Sequence, residues 1–108
     1  MSVAHVGPLR IEILLVKDCP NGVPTIDLVR RTVVALKLEA SVGTVEVETP
    51  EEVFRLRFLG SPTVRINGLD IDPAARDRTD FALGCRLYGA SGVPPSTLLR
   101  AAIIEALE

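Results

Sequence analysis

The chain has 108 residues, of which 47% are apolar and only 4% aromatic, and a formal net charge of −2. That length suits one domain over residues 1–108, large enough to bury roughly two-thirds of the surface its unfolded chain exposes. Weak negative charge and few stacking rings argue against nucleic acid and anionic membranes as partners.

Residues 9–16 alternate at first and then turn solidly apolar, as a strand does when covered on both faces at the centre of a sheet. Over residues 24–38 the period becomes helical: Ile26, Val29, Val33 and Leu36 share a stripe from which Arg30, Arg31 and Lys37 are absent. A half-buried strand follows at residues 42–47. Thr49, Pro50, Glu51 and Glu52 then form a strong helix start: a capping hydroxyl, a proline suited to the first position, and two carboxylates at the positive end. That helix runs to Gly60. Residues 63–66 and 69–71 read as strands around Asn67-Gly68, the strongest short hairpin signal. Ser96 is placed to cap a last helix with Leu99, Ala102, Ile103 and Ala106 inside. Residues 72–95 between them are irregular and rich in charge, Gly and Pro. The expected fold is therefore α/β, a mixed sheet of about four strands in the order β-α-β-α-β-β-α with helices on both faces.

Two short motifs stand out against this frame. Lys17-Asp18-Cys19-Pro20-Asn21-Gly22 places a cysteine where the first strand ends and a helix is about to begin, and Gly60-Ser61-Pro62-Thr63 puts an X-Pro step at the mouth of another strand. Helix-start amides and the helix dipole stabilise a thiolate there. Lys17 helps and Asp18 opposes. Pro24 complicates the picture, because a helix starting at Pro20 would lose an early backbone bond at that position. The competing reading of Cys19 is an inert buried thiol.

With these residues in place, the chain resembles the thioredoxin-like superfamily over essentially its whole length. Asp18-Cys19-Pro20-Asn21, residues 58–68 and Cys85-Arg86-Leu87-Tyr88 are similar to a family of small bacterial thioredoxin-like proteins. Some members of that family carry selenocysteine at the position of Cys19, and some are labelled alkylmercury-lyase-like. The resemblance implies that Cys19 is the attacking thiol and that Pro62 is cis and faces it. Gly22 stands where a second cysteine would complete a Cys-x-x-Cys pair, which argues against a general dithiol reductase.

The expected activity is a single-cysteine, thiol-dependent redox reaction, either thiol–disulfide exchange or a peroxide-type reduction. Cys19 is its nucleophile, with Pro62 shaping the groove. Pro20, Asn21, Ser61 and Thr63 are the expected substrate contacts, the Ser61 backbone pairing with substrate as an extra strand segment. Cys85 is a candidate resolving thiol; its plainer reading is a core cysteine beside Leu87. Arg76, Arg78 or Arg86 could hold a substrate carboxylate at the rim, although charge runs of this kind are mostly solvated faces. Partners are a thiol or disulfide substrate and a small-molecule or protein reductant, and no bound organic cofactor is implied. No His/Cys spacing suits zinc, and His5 has no assigned role. Two rival readings remain open: soft-metal handling of the mercury type by Cys19 and Cys85, and a non-enzymatic interaction module. An exposed hairpin edge would also allow two copies to pair. No run approaches the ~20 apolar residues of a membrane span, and the opening residues lack a leader pattern, so the expected location is the cytoplasm.

Overall fold

A computed structural model describes residues 8–108; His5 lies outside them. The elements run β1 (Leu9–Leu15), α1 (Gly22–Ala35), β2 (Ala40–Glu46), α2 (Pro50–Leu56), β3 (Thr63–Ile66), β4 (Leu69–Asp70) and α3 (Ser96–Leu107), with one 3-10 turn at Pro73–Ala75. The four strands form one mixed sheet in the order β2-β1-β3-β4, compatible with a thioredoxin-like α/β arrangement. β1 pairs parallel with β2 and antiparallel with β3, and β3 pairs antiparallel with β4.

The apolar core lies mainly on one face. Ile11 and Ile13 of β1 pack there with Val64 and Ile66 of β3, Val29 of α1, and Leu99, Ala102 and Ile103 of α3. The opposite face holds a smaller cluster, Leu14, Val47, Val53 and Phe58. Because α2 has only seven residues, it covers just one end of that face. Lower down, Glu12 stands opposite Arg65 and Arg10 is exposed, so β1 is central but not apolar on both sides. No helix among the described residues is long and apolar enough to cross a membrane.

Local chemistry sets most boundaries. The Thr49 hydroxyl accepts from the Glu52 amide, and the Glu52 side chain accepts from the Thr49 amide in return, closing a capping box with Pro50 at the first helical position. Hydrogen bonds from the Glu48 amide and then the Thr49 amide hold the Glu52 carboxyl below its ordinary range. α2 ends earlier than Gly60, because Arg57 adopts a left-handed conformation at φ 53°. Asn67 and Gly68, both at positive φ, form the expected hairpin turn. Ser96 is the first residue of α3, not its cap; Pro95 occupies the cap position.

α1 also departs from the sequence reading. Its buried stripe is Gly22, Thr25, Val29 and Thr32, with Leu36 exposed. Thr32 answers its own burial by donating to the Leu28 carbonyl at 2.7 Å. The Thr25 hydroxyl is buried without a hydrogen-bond partner among the described residues.

Candidate active site

Cys19 sits in the turn between β1 and α1, half-buried. Asp18 takes a left-handed conformation (φ 59°) to make that turn, and the Cys19 amide donates back to the Val16 carbonyl. The helix proper begins at Gly22 with Asn21 as its N-cap, so Cys19 precedes the first turn instead of belonging to it. This also disposes of the difficulty at Pro24. As the third helical residue its missing N–H is one of the donors that would have no intrahelical acceptor, and no bond is lost. Pro20 is exposed in the turn. Asn21 makes no side-chain cap; its amide lies so close to Gly92 that a Cβ there would sit 2.7 Å from Asn21 Cγ.

Two neighbouring hollows lie at this end of the sheet, and the thiol lines the first. One, of about 240 Å³, is walled by Cys19, Leu15, Val23, Ile26 and Val45. The next, of about 540 Å³, is walled by Val47, Glu48, Leu83 and Gly84. They share Val16, Lys17 and Glu46, so the two hollows are neighbours along a trough at the C-terminal ends of the parallel pair β1 and β2, with Cys19 lining the first of them. In open α/β sheets that end is where ligands bind.

The Ser61–Pro62 bond is cis, and Pro62 is buried. The Val16 amide donates to Ser61 Oγ at 3.1 Å, tying the Cys19 turn directly to the proline loop. Ser61 and Thr63 are fully buried. The expected pairing of the Ser61 backbone with substrate meets an occupant already in place: the Ser61 amide donates to the Gly84 carbonyl at 2.7 Å, and its carbonyl accepts from the Arg86 amide at 2.9 Å. Residues 84–88 thus form a strap laid parallel against Ser61, with Cys85 in register with it. Gly60 lies directly beneath; at φ 111°, an added Cβ would come within 3.1 Å of Arg86 Cβ.

The strap alternates like a strand. Cys85 and Leu87 point outward and are exposed, while Arg86 and Tyr88 point inward and are buried. The core placement of Cys85 beside Leu87 is therefore corrected: the inward positions belong to its neighbours. Arg86 Nη1 and Nη2 donate to the two Asp70 oxygens at 2.7 and 2.9 Å, and Nη1 also reaches Thr63 Oγ1 at 3.2 Å. Thr63 Oγ1 donates in turn to the Gly60 carbonyl. The Arg86 guanidinium stacks 4.6 Å from the Tyr88 ring centre, and the Tyr88 hydroxyl donates to the Pro62 carbonyl at 2.6 Å. Burial alone would lower the Arg86 guanidinium, but its hydrogen bonds to Asp70 hold it above its ordinary value. Burial pushes the Tyr88 phenol well up, against the opposing charge of Arg86.

This network also corrects the rim role considered for Arg86, whereas Arg76 and Arg78 remain at the surface in partly exposed ion pairs. Arg86 is sealed under the strap, Arg76 pairs with Glu105, and Arg78 pairs with Asp80. Each guanidinium already holds a carboxylate of its own chain. Sequence reasoning missed Asp70 altogether, and it missed the buried structural roles of Arg86 and Tyr88. The one available signal was the strand-like alternation through residues 85–88. Cys19 and Cys85 are both free thiols.

No family model matches this chain, and neither does any curated protein or solved structure.

Proposed function

We propose that this is a thioredoxin-like thiol protein in which Cys19 performs thiol–disulfide exchange. The observation that carries the reading is the position of Cys19: half-buried, at a turn bound to a cis-proline loop, and opening on a trough at the ends of two parallel strands. A thiol so placed is accessible to a small reagent and has protein walls to orient one. The Cys19 thiolate attacks one sulfur of a disulfide; a protein–substrate disulfide forms, the old S–S bond breaks, and the other half leaves as a thiolate. A second thiolate, external or Cys85, then attacks Cys19 Sγ: the remaining substrate half leaves as a thiolate, and the disulfide now on Cys19 is reduced by a further external thiol, which is oxidised in its place.

The test is the rate at which Cys19 forms a mixed disulfide, followed by intact mass in a Cys85→Ser background. The same chain unfolded in urea at the same pH provides the reference. Exchange in the folded protein should outrun the unfolded chain, and Cys19→Ser should remove the adduct. A folded protein slower than its unfolded form would show a merely shielded thiol and end the proposal.

A further inference from the structure

We infer that the strap turns the Cys19 site away from extended peptides and toward low-molecular-weight disulfides, with those carrying an amine preferred over those carrying carboxylates. The inference rests on the exchange reading above and names its substrate class. An extended peptide would need the Ser61 amide and carbonyl as its strand partner, yet residues 84 and 86 hold both. Displacing the strap would also expose the buried pair Arg86–Asp70 and break the hydrogen bond from Tyr88 to Pro62. That edge is closed.

The remaining approach is the trough, whose far wall is Gly84 at the start of the strap and Leu83 just before it. Its floor is aliphatic, from Leu15, Val16, Val23, Ile26, Val45 and Val47. The charged groups around it are one cation, Lys17, against three carboxylates, Asp18, Glu46 and Glu48. None of the four forms an ion pair among the described residues, so the imbalance is not cancelled locally. A substrate bearing ammonium groups is drawn in, and one bearing carboxylates is repelled. Between a doubly cationic and a doubly anionic disulfide, at these surface distances, the difference in rate is about tenfold and shrinks with salt.

The experiment uses the full chain with Cys85→Ser and four probes: cystamine, hydroxyethyl disulfide, glutathione disulfide, and a short uncharged peptide dimerised through its single cysteine. Adduct formation at Cys19 is timed by mass spectrometry at low and high salt. Cystamine should react fastest, hydroxyethyl disulfide next, and glutathione disulfide and the peptide slowest. High salt should compress the charge order, and Glu46→Gln with Glu48→Gln should bring the ratio of cystamine to glutathione disulfide within about twofold. A peptide that matches cystamine, or a charge order that is absent or reversed, overturns this inference while leaving exchange at Cys19 intact. Failure of all four probes to outrun the unfolded chain instead defeats the exchange reading itself.

Discussion

Replacing Arg86 with methionine tests the strap most directly. The side chain is 3% exposed and its partner Asp70 only 6%, so their contact is shielded from water. Methionine fills part of the volume but leaves the Asp70 carboxylate buried, with only the Asp72 amide still donating to it among the described residues. Removing one member of such a pair costs about 3–5 kcal/mol, a large share of the 5–15 kcal/mol typical of a whole domain. With a urea dependence of about 2 kcal/mol per molar, the unfolding midpoint should fall by roughly 2 M. Tyr88 is the only tyrosine and the chain has no tryptophan, so intrinsic fluorescence reports on the strap alone, while circular dichroism reports on the helices. Coincident transitions would show the strap unfolding with the domain, whereas an earlier fluorescence change would show it detaching first. Adding Asp70→Leu removes the stranded charge and should recover most of the loss, ending about 1 kcal/mol below the parent for the forfeited Asp72 hydrogen bond. A loss under about 1 kcal/mol for Arg86→Met, or simple additivity in the double variant, would refute the account of the latch.

Tyr88→Phe leaves the buried Pro62 carbonyl without its donor and should cost about 1–2 kcal/mol in urea unfolding. Because burial raises the Tyr88 phenol in the fold, its contribution is fully present below the unfolded value of about 10 and is lost as pH climbs from there toward the folded value. The alkaline loss should therefore be smaller in Tyr88→Phe; identical curves would contradict the assignment. Thr25→Val keeps the shape of a fully buried side chain while deleting a hydroxyl that has no partner, so it should stabilise by about 1 kcal/mol; a clear loss would mean that the hydroxyl is satisfied. Gly60→Ala combines a φ of 111° with contact against the strap at Cys85 O (3.2 Å) and Arg86 N (3.3 Å). It should cost about 1–3 kcal/mol and alter Tyr88 fluorescence; a neutral result would mean that the strap does not rest there.

The parts of the fold that were legible in the sequence owe their form to local rules. The capping box at Thr49 and Glu52, the Asn67-Gly68 turn and the stripe of Leu99, Ala102 and Ile103 each involve residues a few positions apart. α1 was less legible because hydrophobic periodicity selects Ile26 and Val33, whereas packing against the sheet and α3 centres the buried face on Thr25, Val29 and Thr32. A threonine that donates to its own helix, as Thr32 does, hides its polarity from any pattern of apolar spacing. The strap was the least legible. Its inward residues are an arginine and a tyrosine, and the partners that allow their burial lie 16 and 26 positions away. Charge in a Gly- and Pro-rich stretch reads as solvated loop unless the opposing carboxylate is known to be buried beside it. Asp70 is identifiable as that partner only once the hairpin has been folded.

The same connections show why an irregular segment matters to a thiol some sixty residues before it. An unpaired backbone edge next to a cis-proline must find donors and acceptors from water, a ligand or the chain itself. Here the chain provides them, because the tight turn at Asn67 and Gly68 sets Asp70, the last residue of β4, opposite Arg65. Asp70 holds Arg86, whose own amide is bonded to the Ser61 carbonyl, and Ser61 Oγ accepts from the Val16 amide three residues before Cys19. Every link in that sequence is a hydrogen bond or ion pair made by buried or part-buried groups, where a lost partner is costly. A perturbation of the hairpin should accordingly reach the Cys19 turn through the Ser61 loop, whereas one on the exposed outer face of α1 has no such route.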